Sequence, residues 1–172
     1  SERVVRATSV YTYGAQGNME KSAVYRADAV SSIDTSNVPT LIAQPIKKSE
    51  TFYTGSEGQE KANYLLSYKG TTFATNVVET TGFYYYGQEK VRSESAGDTD
   101  GLNQQLSFKG NLSSDEGSII FADVLNNRIT VGRNTYELDG RTYFTGTAGD
   151  EKASFAYRYW TDSSSERVVR ET

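Results

Sequence analysis

Residues 153–160, ASFAYRYW, decide the fold class of this chain. Every second position holds a small or aromatic side chain: Ala153, Phe155, Tyr157 and Tyr159. Because successive side chains of a β-strand point to opposite faces, the alternation predicts a strand with an aromatic ladder against the core. We expect this strand to close a sheet, and Phe155→Ala to destabilise the fold by about 3–5 kcal/mol.

Two short segments upstream have the pattern of a β-hairpin. Tyr136–Leu138 and Thr142–Phe144 flank the dipeptide Asp139-Gly140. Asp and Gly tolerate the positive φ angles of a type I′ turn, whose twist matches that of paired strands. The sequence therefore predicts a tight turn at Asp139-Gly140.

The rest of the chain also favours strands joined by short turns. It contains 13 Tyr and 15 Gly but only 2 Pro, and no segment has a convincing helical stripe. Both prolines lie between Ser31 and Ser49, which predicts a crossing loop or an edge strand there. The predicted fold is all-β, an antiparallel β-barrel or β-sandwich with little helix. The further predicted strands are Val4–Tyr13, Ala23–Ala29, Tyr64–Lys69, Thr71–Val78, Phe83–Tyr86, Gln105–Lys109, Ser118–Val124 and Arg128–Val131.

The composition argues against an enzyme. The 172 residues include no Cys and no His, which removes thiol nucleophiles, imidazole bases and Ser-His-Asp triads. A glycosidase needs two carboxylates about 5–10 Å apart, and the spacing along the sequence pairs none of Glu79, Glu89, Asp123 and Glu137. We expect no catalytic residue and no cofactor.

Charge and hydropathy exclude two classes of partner. The chain has 18 basic and 22 acidic side chains, a net charge of -4, so we expect no nucleic-acid binding. Its mean hydropathy is -0.61, and no apolar run approaches the roughly 18 residues that a membrane helix needs. We therefore do not expect the chain to span a membrane as a helix.

One loop has the spacing of a calcium ligand set. Asp98 and Asp100 alternate in the Gly-flanked segment GDTDG, and such carboxylates can supply oxygen ligands to calcium. Ser107 stands where an EF-hand would continue with Glu. The sequence favours a flexible polar loop over a metal site.

The hexapeptide SERVVR occurs twice, as Ser1–Arg6 and again as Ser165–Arg170. Six identical residues in register indicate one unit of a tandem array, cut so that it includes the start of the next unit. The alternatives are an artificial extension of the chain and two edge strands of similar sequence. We expect a single domain over residues 1–164, with residues 165–172 as the start of a following repeat or a tail.

Short motifs in the second half carry a family resemblance. They are Tyr68-Lys69-Gly70-Thr71, Ile119–Asp123, Asn126–Thr130 and Phe144–Ala148. In this order they resemble the eight-stranded barrel of transferrin-binding-protein-like surface lipoproteins, over roughly residues 60–160. The resemblance implies a bacterial cell-surface domain that binds host iron, haem or complement-regulating proteins. The chain lacks the family's amino-terminal lipidated Cys and carries the end repeat, which favours a module inside a longer surface protein.

The run Phe83-Tyr84-Tyr85-Tyr86 supplies the candidate binding residues. Within a strand, Tyr84 and Tyr86 point away from the face that Phe83 and Tyr85 occupy. Either both faces of the strand are covered, or Tyr84 and Tyr86 form an exposed aromatic platform, because Tyr offers large contact area at low entropic cost. The predicted binding residues are Tyr84, Tyr86 and Trp160.

These observations predict a non-catalytic binding or adhesion module of a bacterial cell-surface or extracellular protein. Its expected partners are a host protein or glycan and neighbouring repeats of the same chain. The alternative is a lipocalin-like or avidin-like barrel that carries a small ligand, which would need an internal cavity above about 300 Å³.

Overall fold

Alternating side-chain patterns form twelve β-strands in the described part of the chain. The computed structural model describes residues 5–27, 29–34, 39–124, 127–161 and 167–171, with only the backbone at 123, 160–161 and 167–171. The strands are β1 (Ala7–Tyr13), β2 (Met19–Arg26), β3 (Val30–Ile33), β4 (Pro39–Leu41), β5 (Lys47–Thr54), β6 (Lys61–Lys69), β7 (Val77–Tyr86), β8 (Leu102–Lys109), β9 (Arg128–Val131), β10 (Asn134–Thr145), β11 (Lys152–Thr161) and β12 (Arg167–Glu171).

Ten of these strands form one antiparallel sheet. Its hydrogen-bonded order is β1-β2-β5-β6-β7-β8-β10-β11-β12, with β9 paired to the first part of β10, while β3 and β4 pair separately. The predicted all-β antiparallel fold with little helix is therefore confirmed. Within the described residues β1 and β12 do not pair, so the sheet is not closed as a barrel, and a sandwich-like arrangement is compatible with it.

Most of the predicted strands are confirmed to within a few residues. Strands form at or near the predicted ranges Val4–Tyr13, Tyr64–Lys69, Gln105–Lys109, Arg128–Val131 and Ala153–Trp160. The proline-containing stretch around Ser31–Ser49 holds the small β3-β4 sheet and the beginning of β5.

One face of the sheet carries the main hydrophobic core. Phe83 and Tyr85 of β7 and Leu106 and Phe108 of β8 are fully buried in it. The segment after β8 crosses this face, because its Ile119 is buried in the same cluster. Among the described residues, no helix has the length and apolarity needed to cross a membrane. The helical segments are the short 3₁₀ helices Phe73–Thr75, Ser93–Ser95, Ser113–Ser118 and Phe121–Asp123.

The strand predicted over Ser118–Val124 is wrong, because this segment folds on itself instead of joining the sheet. The Ile119 N–H donates to the Glu116 carbonyl and the Val124 N–H to the Phe121 carbonyl, both bonds closing tight local turns. Local hydrogen bonds of this kind compete with a sheet ladder for the same backbone groups. The segment therefore serves as a cover over the sheet.

The turn predicted at Asp139-Gly140 is also wrong. Strand β10 runs through this dipeptide, and Gly140 is not among the glycines with positive φ. The dipeptide marks the point where β10 changes partner, because residues before it pair with β9 and residues from Gly140 onward pair with β11. The register against β8 shifts between Leu138 and Gly140, as at a β-bulge.

Strand β7 replaces two shorter predicted strands. Thr71–Val78 does not form a strand of its own, because Thr72 and Thr75 bond each other and close the 3₁₀ turn. The strand begins at Val77 and continues through Phe83 to Tyr86. One long central strand therefore carries the whole aromatic run.

The aromatic ladder of β11 only partly faces the core. Tyr159 is buried at 7% exposure, but Phe155 is 47% exposed. The core that lies over β7 and β8 extends as far as Tyr157 and Tyr159. The expectation that Phe155 packs in the core is wrong, and the cost of about 3–5 kcal/mol predicted for Phe155→Ala loses its basis.

Candidate functional site

Three aromatic rings form an exposed shelf on β10 and β11. Tyr143 and Phe155 lie opposite each other in the strand pairing, and their rings stack at 4.3 Å with an interplanar angle of 19°. The Tyr157 ring meets both edge-on, at 5.5 Å from Phe155 and 6.0 Å from Tyr143. We call these three residues the aromatic shelf. Its most exposed ring is Phe155.

The aromatic shelf contacts the core through Tyr157 and the Arg141 guanidinium through Tyr143. Tyr157 packs against the main core cluster. Arg141 lies opposite Tyr157 in the pairing, and its Nη1 donates to the Tyr143 hydroxyl at 3.3 Å. The same guanidinium stands 5.9 Å from the centre of the Phe121 ring. The shelf therefore continues through Arg141 to Phe121.

An open cleft of about 560 Å³ begins at Phe121. The Lys90 ammonium lies 4.8 Å from the Phe121 ring centre, and Ile120 on the cleft wall is 51% exposed. The Phe121 ring also meets the buried Tyr85 ring edge-on at 5.4 Å. The cleft thus combines an aromatic wall with charged groups, in contact with the core below it.

Arg92 lines the cleft as a buried cation held by many partners. Its guanidinium lies 4.7 Å from the Phe83 ring centre and donates to the carbonyls of Glu116 and Ile119, at 2.7 and 3.0 Å. It also bonds the Asn63 side-chain oxygen and approaches the Glu116 carboxylate at 3.4 Å. A buried charge needs this set of partners, because each unmet polar group is costly in the interior.

Two carboxylates meet at the cleft on a single amide. Asn63 Nδ2 donates to Glu94 at 2.5 Å and to Glu116 at 2.8 Å. Glu94 is exposed and Glu116 is half-buried, so both keep a side open to a ligand. Carboxylates accept hydrogen bonds from hydroxyl groups, and the neighbouring Lys90 ammonium can donate them. The cleft therefore offers acceptors and donors beside an aromatic surface.

Tyr84 and Tyr86 do not form the predicted exposed platform. Tyr86 is 5% exposed and its hydroxyl donates to the Ala62 carbonyl at 2.8 Å, while Tyr84 is half-buried. Burial, with the nearby Tyr53, raises the pKa of Tyr84 to about 12, and burial is also the main cause that raises the pKa of Tyr86. The alternative account, a strand covered on both faces, is correct for Tyr86.

Trp160, the third predicted binding residue, lies in β11, where its backbone pairs with Val168. Its side chain lies outside the described residues. Its role in binding stays a prediction.

A second polar cluster lies on β5, away from the cleft. Glu50 is 4% exposed, accepts a hydrogen bond from the Tyr68 hydroxyl at 2.5 Å, and pairs with Lys47 at 2.9 Å and Lys21 at 3.5 Å. Burial acts to raise the pKa of Glu50, but these hydrogen bonds and positive charges together lower it. Burial and the bond to Glu50 raise the pKa of Tyr68. The cluster is fully partnered, which is the arrangement of a structural ion pair.

The Asp98–Asp100 loop uses one of its carboxylates on the backbone. The Asp100 side chain accepts a hydrogen bond from the Gly97 N–H at 2.8 Å, and its carbonyl accepts one from Lys61 at 2.9 Å. Asp98 lines a separate, smaller hollow. In the described part of the chain, no group of three Asp, Glu, His or Cys side chains is placed to hold a metal ion.

The residues of the cleft and the aromatic shelf could be predicted only in part from the sequence. Alternation identified Phe155 and Tyr157 as partners on one face, but it carried no information on what covers that face. Arg92, Asn63, Glu94 and Glu116 come from three separate segments, and no spacing links them. Asn63 contacts Arg92 and Glu94 directly, and the segment after β8 adds Glu116 by crossing the sheet.

No family model and no curated protein matches this chain. A solved structure of a protein of unknown function from Bacteroides fragilis aligns with 98% of this chain and 91% of its own, at 10% identity and a TM-score of 0.39.

Proposed function

We propose that this chain is a non-catalytic binding module whose ligand surface is the aromatic shelf together with the adjoining cleft. The observation that carries the proposal is the ring of Phe155, which is 47% exposed while stacked on Tyr143. A large apolar ring held rigidly at the surface loses little entropy on binding and offers area to a partner.

A glycan is the ligand class that the surface fits better. Flat stacked rings suit the apolar face of a sugar ring. Next to them, the Glu94 and Glu116 carboxylates and the Lys90 ammonium suit its hydroxyl groups. A protein partner is the second candidate, since exposed aromatics next to Arg141 are typical of protein interfaces.

The cleft is less suited to the small apolar ligand of a carrier protein. Its lining includes five charged side chains: Glu89, Lys90, Arg92, Glu94 and Glu116. An apolar ligand would remove water from these charges without replacing their hydrogen bonds. This disfavours the lipocalin-like or avidin-like alternative.

We further propose that the module belongs to a bacterial cell-surface or adhesion protein and is one unit of a tandem array. The end repeat of SERVVR supports an array, and the short motifs between residues 60 and 160 resemble transferrin-binding-protein-like surface lipoproteins. A cysteine-free chain is compatible with such a surface protein. Host proteins and glycans are the partners that this setting implies.

A glycan microarray with matched variants tests the ligand surface. Phe155→Ser removes the exposed ring of the shelf, and Phe73→Ser removes an equally exposed ring, 52% accessible, in the 3₁₀ turn before β7. We expect wild type and Phe73→Ser to bind the same glycans and Phe155→Ser to lose at least tenfold in affinity. Both variants should keep the wild-type melting temperature to within a few degrees.

Three results would overturn the proposal. Equal binding losses in both variants would indicate a non-specific hydrophobic effect. Retention of binding by Phe155→Ser would place the ligand elsewhere. If the wild-type chain binds no glycan, the same pair of variants is tested on immobilised host serum proteins, and no binding there either contradicts a binding function of the shelf.

A further inference from the structure

The last strand of the sheet is an edge strand made from the repeated hexapeptide. Strand β12 pairs with β11 and ends the sheet order. In this pairing Arg170 lies opposite Arg158, Val169 opposite Tyr159, and Val168 opposite Trp160. A segment of four or five residues, paired through its backbone in this register, therefore fills the position beside β11.

The beginning of the chain has the sequence needed for that same position. Residues Arg3–Arg6 repeat Arg167–Arg170 without a substitution, so four of the five residues of β12 are present twice in the chain. Identical residues in the same register would make the same backbone ladder against β11.

The amino-terminal copy is not used as a sheet strand in this structure at the residues described. Strand β1 begins at Ala7, and Val5 before it is 48% exposed. The Arg6 carbonyl accepts a bond from the Ala27 N–H at 3.1 Å, toward the β2 side of the sheet. Because neighbouring residues of an extended chain direct their backbone groups to opposite edges, Val5 directs its own groups away from β2.

We infer that the Ser1–Arg6 segment of a second copy of this chain can replace β12 on the edge of β11, joining copies head to tail. The added strand would make backbone hydrogen bonds to the edge of β11 that β12 otherwise occupies, as in β-augmentation. The interface is heterologous, since the beginning of one copy meets the end of another, and its repetition gives open chains instead of a closed dimer. This inference does not depend on the aromatic shelf.

The two copies of the segment compete for one edge. Only five residues separate β11 from β12, so the strand within the same chain has an effective concentration of about millimolar. A second molecule at micromolar concentration cannot displace it. The wild-type chain is therefore expected to be monomeric in dilute solution, and exchange requires that β12 be disabled.

Paired prolines disable each copy separately in the full-length chain. Successive strand residues point their N–H groups to opposite edges, so one of two consecutive prolines must remove a donor that faces β11. Val168→Pro/Val169→Pro disables β12, Val4→Pro/Val5→Pro disables the amino-terminal copy, and the quadruple variant disables both. Circular dichroism and melting temperature show whether each variant keeps its sheet.

Sedimentation velocity from 1 to 50 μM, well below the effective concentration of β12 within its own chain, then separates the cases. We expect Val168→Pro/Val169→Pro to form oligomers that grow with concentration. Wild type, Val4→Pro/Val5→Pro and the quadruple variant should stay monomeric. If the quadruple variant associates to the same degree, the association comes from an exposed edge and not from the repeated segment, and the inference is wrong.

Cysteine trapping checks the register, because the chain contains no Cys of its own. In the Val168→Pro/Val169→Pro background, Arg6→Cys on one chain should lie opposite Arg158→Cys on another. Oxidation of the mixture should give the mixed disulfide, identified by mass spectrometry, at least tenfold above the yield from Ser9→Cys with Arg158→Cys. Equal yields, or a monomeric Val168→Pro/Val169→Pro variant that retains its sheet and gives no mixed disulfide, would overturn the inference.

Discussion

Strands β7 and β11 carry similar aromatic patterns and meet opposite fates. In β7, Phe83 and Tyr85 are fully buried. Tyr86, at one of the alternate positions of the same aromatic run, is buried as well. In β11, Tyr159 is buried but Phe155 is nearly half exposed. β7 lies in the middle of the sheet, between β6 and β8, whereas β11 has only β12 between it and the sheet edge. Cover from other segments, and not the local alternation, decides which aromatic rings form a core and which form a surface.

The covering segments act on β7 through specific contacts. The Arg92 guanidinium lies over Phe83, and the Phe121 ring meets Tyr85. At Phe155 the neighbours are the two other rings of the shelf. The comparison therefore predicts that chemically identical substitutions have very different costs on the two strands.

The largest expected effect is that of Phe83→Ala. This change removes a fully buried ring and leaves a cavity, so it should lower the free energy of unfolding by about 3–5 kcal/mol. Phe155→Ala should cost about 1 kcal/mol or less, because it loses mainly the stacking contact at the surface. Urea denaturation of both variants measures the difference, and equal costs would show that the shelf is as well packed as the core.

The sequence predicted the strands better than their environment. Alternation identified β1, β6, β8, β9 and β11, because side-chain period is a local property. It failed at Asp139-Gly140, where the local chemistry suits a turn but the strand continues in order to pair with two successive neighbours. It failed for Phe155 and could not choose between the two accounts of Tyr86, because the burial of a strand face depends on segments that are distant in sequence.

The candidate site was less predictable still. Phe155 and Tyr157 could be found as same-face aromatics, but Tyr143 joins them only through the β10–β11 register. Arg92 sits in a polar segment that resembles an ordinary loop. Its burial follows from the rings of Phe83 and Tyr85 in the preceding strand and from the Ile119 carbonyl, which is distant in sequence.

The two arginines that flank these strands differ in burial: Arg92 is buried, and Arg141 is half-buried. Arg92→Met keeps much of the side-chain volume but leaves the Ile119 carbonyl and the Asn63 side chain without their donor. We expect a loss of about 2–3 kcal/mol in the free energy of unfolding. Arg141→Met, at the half-buried edge of the shelf, should cost less than about 1 kcal/mol, because its bond to Tyr143 is a single contact at 3.3 Å.

For glycan binding, we expect the direct effect of the Arg141 substitution to be the larger of the two. Arg141→Met should weaken ligand binding at the shelf while leaving the fold nearly intact, and Arg92→Met should first lower stability. Denaturation curves and binding curves on the same two proteins test this. Equal losses of stability would mean that both strands are covered to the same degree.

The smallest expected effect on the free energy of unfolding concerns Glu50 on β5. Here the buried side chain is charged, whereas the buried side chains of β7 are aromatic. The pKa of Glu50 is lowered in the folded state from its ordinary value of 4.5, so its ion pairs stabilise the fold fully at neutral pH. This contribution is lost as the pH falls below about 4.5 and through the lowered pKa.

Glu50→Gln removes the charge, so its deficit in unfolding free energy relative to wild type should be greatest near pH 7 and should shrink toward pH 3. Between pH 6 and 8 both proteins should keep a constant stability, because burial raises the pKa of Tyr68 and Tyr84 and hydrogen bonds lower the pKa of Glu50 and Glu151, away from that interval. A deficit that stays constant from pH 7 to pH 3 would show that Glu50 contributes through hydrogen bonding and packing alone, as the buried rings of β7 do.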